Sequence, residues 1–111
     1  MEDFHLCPKF EAANEIIGKR WTGLIVRILL TGPKRFKEMT EMIPNVSSKV
    51  LTERLKELES VGIVTRDVYP DMPVRIEYCL SEKGKELLPV VDELQKWADK
   101  WLSIKQIGKD E

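Results

Sequence analysis

One change of hydrophobic period constrains this chain more than any other feature. Leu51, Leu55 and Leu58 recur at i, i+4 and i+7, an apolar stripe on one face of a helix. Ser47 is an N-cap residue placed just ahead of that stripe, and Gly62 closes it as a C-terminal glycine does. Directly after the glycine the helical period stops. Residues 63–69 and 74–80 are rich in β-branched and aromatic side chains and flank the turn-forming tetrapeptide Pro70-Asp71-Met72-Pro73. A capped helix that runs straight into a β-hairpin with an exposed tip leaves few architectures open.

The flanking segments narrow them further. Cys7-Pro8 reads as a helix entrance, because proline has no N–H to waste in the first turn, and Phe10, Ala13, Ile16 and Ile17 follow at helical spacing up to Gly18. The spacing predicts a second helix over about 21–30, with Trp21, Leu24, Ile25, Ile28 and Leu29 inward, stopped by Gly32-Pro33. A short third helix over 36–42 ends before Pro44. Ser81 caps a long final helix running to about residue 102, with Leu87, Val90, Val91, Leu94, Trp97, Ala98 and Trp101 along one side and Pro89 placed to kink or interrupt it.

The expected fold is α+β, mainly α: a winged helix-turn-helix with a long C-terminal dimerisation helix, in which the second helix of the pair enters the DNA major groove. At 111 residues there is room for one domain, taken as 1–103 with flanking dimerisation helices and a flexible tail over 104–111.

Composition removes several function classes. The chain is 33% charged and 42% hydrophobic, as an ordinary globular protein is. No apolar run approaches the ~20 residues that span a bilayer, and the acidic start has no apolar h-region, so no membrane partner and a cytoplasmic location are expected. Cys7 and Cys79 match no zinc or CxxC spacing and are expected as free thiols, with no metal and no cofactor. His5 stands alone, and no Ser/His/Asp set or Gly-rich phosphate loop suggests an enzyme. The net charge of −1 argues against a nucleic-acid partner, but its distribution does not. Positions 19–56 hold nine Lys/Arg against three acids, net +6, while the rest of the chain carries −7.

The basic segment contains the candidate DNA contacts. Opposite the leucine stripe lie Lys49, Glu53 and Lys56, flanked by Ser48 and Thr52. Ser47, Ser48, Lys49, Thr52 and Lys56 can hydrogen-bond base edges or phosphates at a helix N-terminus. Lys34, Arg35 and Lys37, ahead of the helix-turn-helix, and Arg75 on the wing are expected near phosphate. Glu53 is expected to pair with Lys49 four residues earlier, Arg54 to be structural, and Asp71 to shape the turn.

Cys7 is the candidate sensor. At a helix start, backbone N–H groups and the helix dipole favour thiolate, with Lys9 close by, and a thiolate attacks soft electrophiles. Cys79, between Tyr78 and Leu80, reads as packing. Phe10, Val90, Val91, Leu94, Trp97 and Trp101 are assigned to a dimer seam, because a domain this small cannot easily cover so long an apolar stripe. Phe10, Trp21 and Tyr78 could also line a ligand cavity, with aromatic core as the preferred reading.

At these residues the sequence resembles the HxlR family of bacterial regulators, a branch close to the MarR repressors. The resemblance is carried by Cys7-Pro8, Ile17-Gly18-Lys19-Arg20-Trp21, Gly32-Pro33-Lys34-Arg35-Phe36 and Val50-Leu51-Thr52-Glu53-Arg54-Leu55-Lys56-Glu57-Leu58. It continues through Val68-Tyr69-Pro70, Pro73-Val74-Arg75-Ile76-Glu77-Tyr78 and Leu80-Ser81-Glu82-Lys83-Gly84, covering about residues 7–101 in order. It implies a homodimeric repressor on double-stranded operator DNA with an inverted repeat. Within the family the chain is most similar to members that sense quinones, diamide or aldehydes through an N-terminal cysteine. Some of those carry further cysteines in the C-terminal helix, whereas no cysteine follows Cys79 here. That leaves a Cys7–Cys7 link between subunits, a Cys7–Cys79 link, or alkylation of Cys7 by a quinone or other electrophile. The competing readings are a repressor answering to a reversible small ligand, and a winged-helix interaction module, against which Lys49, Lys56 and the +6 segment speak.

Overall fold

The computed structural model describes residues 4–104. In chain order the elements are α1 (Pro8–Ile17), α2 (Thr22–Leu29), α3 (Phe36–Met42), α4 (Ser48–Ser60), β1 (Val64–Tyr69), β2 (Arg75–Leu80), α5 (Glu82–Lys85) and α6 (Leu88–Trp101). This is the expected helix, helix, helix-turn-helix, hairpin, helix order. Ile104 apart, the expected tail lies outside the described residues.

The capped helix forms as its sequence dictates. The Ser47 hydroxyl accepts the N–H of Val50 at 3.1 Å. At the other end Gly62 takes φ +81°, a conformation that costs a glycine little, and the N–H of Ile63 returns to the Leu58 carbonyl at 2.9 Å. Leu51, Leu55 and Leu58 are buried, and with Ile25 and Leu29 of α2, Met39 of α3, Ile43, Ile63, Val64 and Leu80 they make the core. The core therefore clamps α4 on its apolar face and leaves the opposite face outside.

The hairpin is antiparallel in the register Val64↔Leu80 through Tyr69↔Arg75. A third, single-residue rung extends it: Lys34 and Tyr78 exchange backbone hydrogen bonds of 3.0 and 2.8 Å. This rung ties the loop ahead of α3 to the wing. One residue pair leaves no hydrophobic period, so sequence patterning could not reveal it.

Two expectations change. The long final helix is two helices, and Pro89 lies in the first turn of α6 rather than inside a continuous helix. Ser81 caps α5 only, through the N–H of Gly84 at 3.1 Å. Gly84 is buried, and a Cβ there would run into the Ile63 carbonyl, so α5 presses directly on the base of the wing. Second, the inner face of α2 is Thr22, Ile25, Val26 and Leu29, whereas Leu24 is 50% exposed. The true stripe follows i, i+3, i+4, i+7 from Thr22, and Leu24 falls beside it. Trp21 precedes the helix at φ +79° and still packs against the core. Neither α1 nor α6 fully buries a single residue. Among the described residues no helix is long and apolar enough to cross a membrane.

Candidate DNA-binding face and thiol site

On α4 the side opposite the core carries Ser48, Lys49, Glu53 and Lys56, all exposed, with Thr52 half-buried at its edge. Ser47 is exposed but its hydroxyl is already the helix cap, so it acts by fixing where α4 begins. The expected Lys49–Glu53 pair is not among the ion pairs of the described residues, and neither Lys49 nor Lys56 takes part in one. Both ammonium groups are thus open to solvent on the side a groove would meet.

Arg54 is structural, as expected. Its Nε donates to the Arg20 carbonyl at 3.0 Å, and its Nη1 lies 3.5 Å from Glu57, which also meets Lys19 at 3.3 Å. Glu57 and Lys19 were not singled out from the sequence. The Arg54/Glu57 spacing at i, i+3 was the available signal, but the partner lies 34 positions away.

The basic loop divides. The Lys34 ammonium turns into its own loop, donating to Thr31 Oγ1 at 3.0 Å and to the Gly32 carbonyl at 3.2 Å. Arg35 stands at the start of α3, where its backbone N–H donates to Glu38 Oε1 at 2.7 Å. The side chains of Arg35 and Lys37 are exposed.

Arg75 is engaged rather than free. Its Nε donates to Asp71 Oδ2 at 3.0 Å and its Nη1 to Glu77 Oε2 at 2.7 Å, while the guanidinium stacks 4.1 Å from the centre of the Tyr69 ring. The hydrogen bond to Asp71, then that to Glu77, raises its pKa above the ordinary guanidinium value. Asp71 shapes the tip as expected, its N–H donating to the Tyr69 carbonyl at 2.8 Å.

The two thiols occupy opposite settings. Cys7 is the exposed N-cap residue of α1, its carbonyl accepting the N–H of Glu11 at 3.0 Å and its thiol making no cap hydrogen bond. Cys79 is half-buried, and its Sγ–H donates to Asp67 Oδ2 at 3.4 Å. Burial first, then that hydrogen bond, pushes the Cys79 thiol up, which keeps it protonated. No group of three metal-ligating side chains occurs among the described residues.

The apolar stripe of the C-terminal helix is not core. Leu94 is 65% exposed, Trp97 55% and Trp101 61%. Val90 is exposed with them and Val91 is half-buried. Phe10 on α1 is likewise exposed, while Tyr78 packs against the core. Between α1 and α6 runs an apolar groove of about 560 Å³, lined by Phe10, Ala13, Ile17, Leu87 and Val90 among others.

Residues 16–106 match the HxlR-like helix-turn-helix family. The chain belongs to that family. Among its relatives this HxlR-like protein is 53% identical over 102 residues to the HTH-type transcriptional regulator YvaP of Bacillus subtilis, covering 92% of this chain and 94% of YvaP. To the HTH-type transcriptional regulator YodB of Bacillus subtilis it is 55% identical over 96 residues, 86% of each chain. The reduced form of YodB superposes with a TM-score of 0.79 over 89% of this chain and 97% of YodB, at 54% identity. The redox regulator HypR in its oxidised form gives 0.82 over 88% of this chain and all of HypR, at 36% identity. YodB structures also exist diamide-treated and quinone-bound. The HxlR-like fold here is a DNA-binding transcriptional regulator, not an enzyme.

Proposed function

We propose that the protein is a homodimeric repressor that leaves its operator when Cys7 is oxidised or alkylated. The observation that carries this reading is the position of Cys7. It is an exposed thiol at the first turn of α1, a helix that fully buries no residue in its own chain and shares an apolar groove with α6. A second copy laid over α1 and the Leu94/Trp97/Trp101 stripe would bury a surface that is large and apolar for a lone domain. Two α4 helices related by a two-fold axis would then read inverted half-sites, with Ser48, Lys49, Thr52 and Lys56 toward the groove.

The chemistry at Cys7 balances in two ways. A quinone accepts the thiolate at a ring carbon; a C–S bond forms, the ring takes the electron pair, and protonation yields a hydroquinone thioether. Diamide takes two electrons and two protons from two thiols, leaving a disulfide and the hydrazine. The protonated, half-buried Cys79 is a poor second thiol, which favours an adduct or a Cys7–Cys7 link between subunits. Either change at the start of α1 tilts one subunit on the other, and a differential stability of ~1.4 kcal/mol is already tenfold in operator affinity.

The test is binding of the purified protein to the DNA upstream of its own gene, with and without a quinone or diamide. Cys7→Ser is expected to bind normally and lose the response, while Cys79→Ser keeps it. Release of DNA from quinone-treated Cys7→Ser protein overturns the sensor assignment and leaves the DNA-binding one standing.

A further inference from the structure

The hairpin register places Asp67 directly opposite Glu77, with Tyr69 opposite Arg75 and Thr65 opposite Cys79. Side chains alternate along a strand, so these six residues share one face of the wing. Like charges facing each other across a ladder are unfavourable unless something compensates them. Both carboxylates are compensated from within the wing: Glu77 by Arg75 at 2.7 Å, Asp67 by the Cys79 thiol at 3.4 Å. Arg75 takes a second carboxylate, Asp71 at 3.0 Å, and its guanidinium carbon sits over the Tyr69 ring, 4.1 Å from its centre. Two of its nitrogens, Nε and Nη1, and one face of the guanidinium are thus engaged within the wing itself. From residue 64 to 80 the wing holds two arginines and three acids, net −1.

We propose that Arg75 is an internal counter-ion rather than a phosphate ligand, and that Asp71 and Glu77 form a latch that limits how tightly the wing holds DNA. A phosphate approaching this face meets a guanidinium already paired with two carboxylates, a trio of net charge −1. The inference rests on DNA binding through α4 and goes beyond it, assigning to two acidic residues control over affinity. A regulator held this way depends on α4 for most of its grip, so a small displacement of one α4 against the other suffices for release.

The experiment is a fluorescence-anisotropy titration of a mixed-sequence duplex of defined length over a series of salt concentrations. The slope of log affinity against log salt counts phosphate contacts at about 0.9 per contact on duplex DNA. Arg75→Gln alone is expected to leave that slope unchanged. The Asp71→Asn/Glu77→Gln variant frees Arg75 and relieves the Asp67–Glu77 repulsion, and is expected to bind roughly three- to tenfold tighter with a slope steeper by about 0.9. Adding Arg75→Gln to that variant removes the steeper slope. If Arg75→Gln alone lowers the slope by about one contact, Arg75 already touches phosphate and the latch is wrong. If the gain in the acid variant survives loss of Arg75, it is plain removal of repulsion and the latch is again wrong. Binding by the unaltered protein that is absent, or indifferent to salt, overturns the DNA-binding reading and the latch with it. Circular dichroism melts of all variants establish that each is folded at the titration temperature.

Discussion

The guanidinium of Arg54 reaches from α4 to the backbone carbonyl of Arg20, 3.0 Å away in the turn between α1 and α2. Glu57 completes the contact by meeting Arg54 at 3.5 Å and Lys19 at 3.3 Å. The end of α1 is thereby joined to α4, the helix proposed to meet DNA through its outer face, by side chains that do not stand on that face.

Arg54→Ala is expected to cost about 1.5–3 kcal/mol of stability, since a hydrogen bond to a charged group is lost and a carbonyl is left without it. Glu57→Gln removes a half-exposed ion pair and is expected to cost under about 1 kcal/mol. Urea denaturation measures both, and an unchanged m-value shows that only stability moved. A loss for Glu57→Gln as large as that for Arg54→Ala would make the ion pair, not the carbonyl contact, the stronger half of the junction.

Leu55 and Trp97 should part company in unfolding experiments. Leu55→Ala leaves a cavity among buried residues and is expected to cost about 2–5 kcal/mol at any protein concentration. Trp97 is 55% exposed in its own chain, so Trp97→Ala should change a melt only through association with a second copy. Its melting temperature is expected to fall further on dilution than that of the unaltered protein, with sedimentation showing folded monomer. A Trp97→Ala melt that is lower but insensitive to concentration points back to packing within one chain.

The thiols should separate by rate and by pH. The Cys79 thiol is held above the ordinary thiol range, by burial first and then by its hydrogen bond to Asp67. The raised folded-state value means that the native chain holds this proton more tightly than the unfolded one. The corresponding stability is full below the unfolded thiol pKa of ~8.5 and is lost as pH rises through the folded value. Native protein treated with iodoacetamide near neutral pH is expected to carry label on Cys7 long before Cys79, as peptide mass spectrometry reads directly. Cys79→Ser should flatten the alkaline decline in stability; an identical decline with and without the thiol contradicts the assignment.

Gly84→Ala tests the join between α5 and the wing. The added methyl meets the Ile63 carbonyl, a backbone atom that cannot swing aside. Overpacking of that kind is expected to cost about 1–3 kcal/mol, although alanine is the better helix former. Thermal melts of Gly84→Ala beside Gly23→Ala make the comparison, because a Cβ at Gly23 meets nothing within 4 Å.

Elements built from local rules were legible in the sequence. Ser47, the leucine stripe and Gly62 fix α4 to within a residue at each end, because capping, amphipathic period and a left-handed glycine are all short-range effects. The basic outer face of α4 followed from the same period. What depends on partners distant in the chain did not: the Lys34–Tyr78 rung and the Arg20 carbonyl under Arg54. The Arg75–Glu77 spacing was visible, yet only the pleat and the register show that the two side chains stand on one face. Leu24 was misplaced because α2 is only two turns long, and a stripe that short can be drawn through more than one set of apolar residues.

The division of the C-terminal segment at Pro89 has an evolutionary consequence. Gly84 and the Ser81 cap fasten α5 to the wing, whereas every residue of α6 lies outside the core of its own chain. Substitutions along α6 can therefore accumulate without unfolding the molecule that carries them. With α6 as the proposed seam and α4 as the proposed reading helix, duplicated copies of such a gene are free to drift apart in which sister chain they accept while keeping α4 unchanged. Where a cell holds several of these proteins, the α6 stripe is the place to look for what keeps them from mixing.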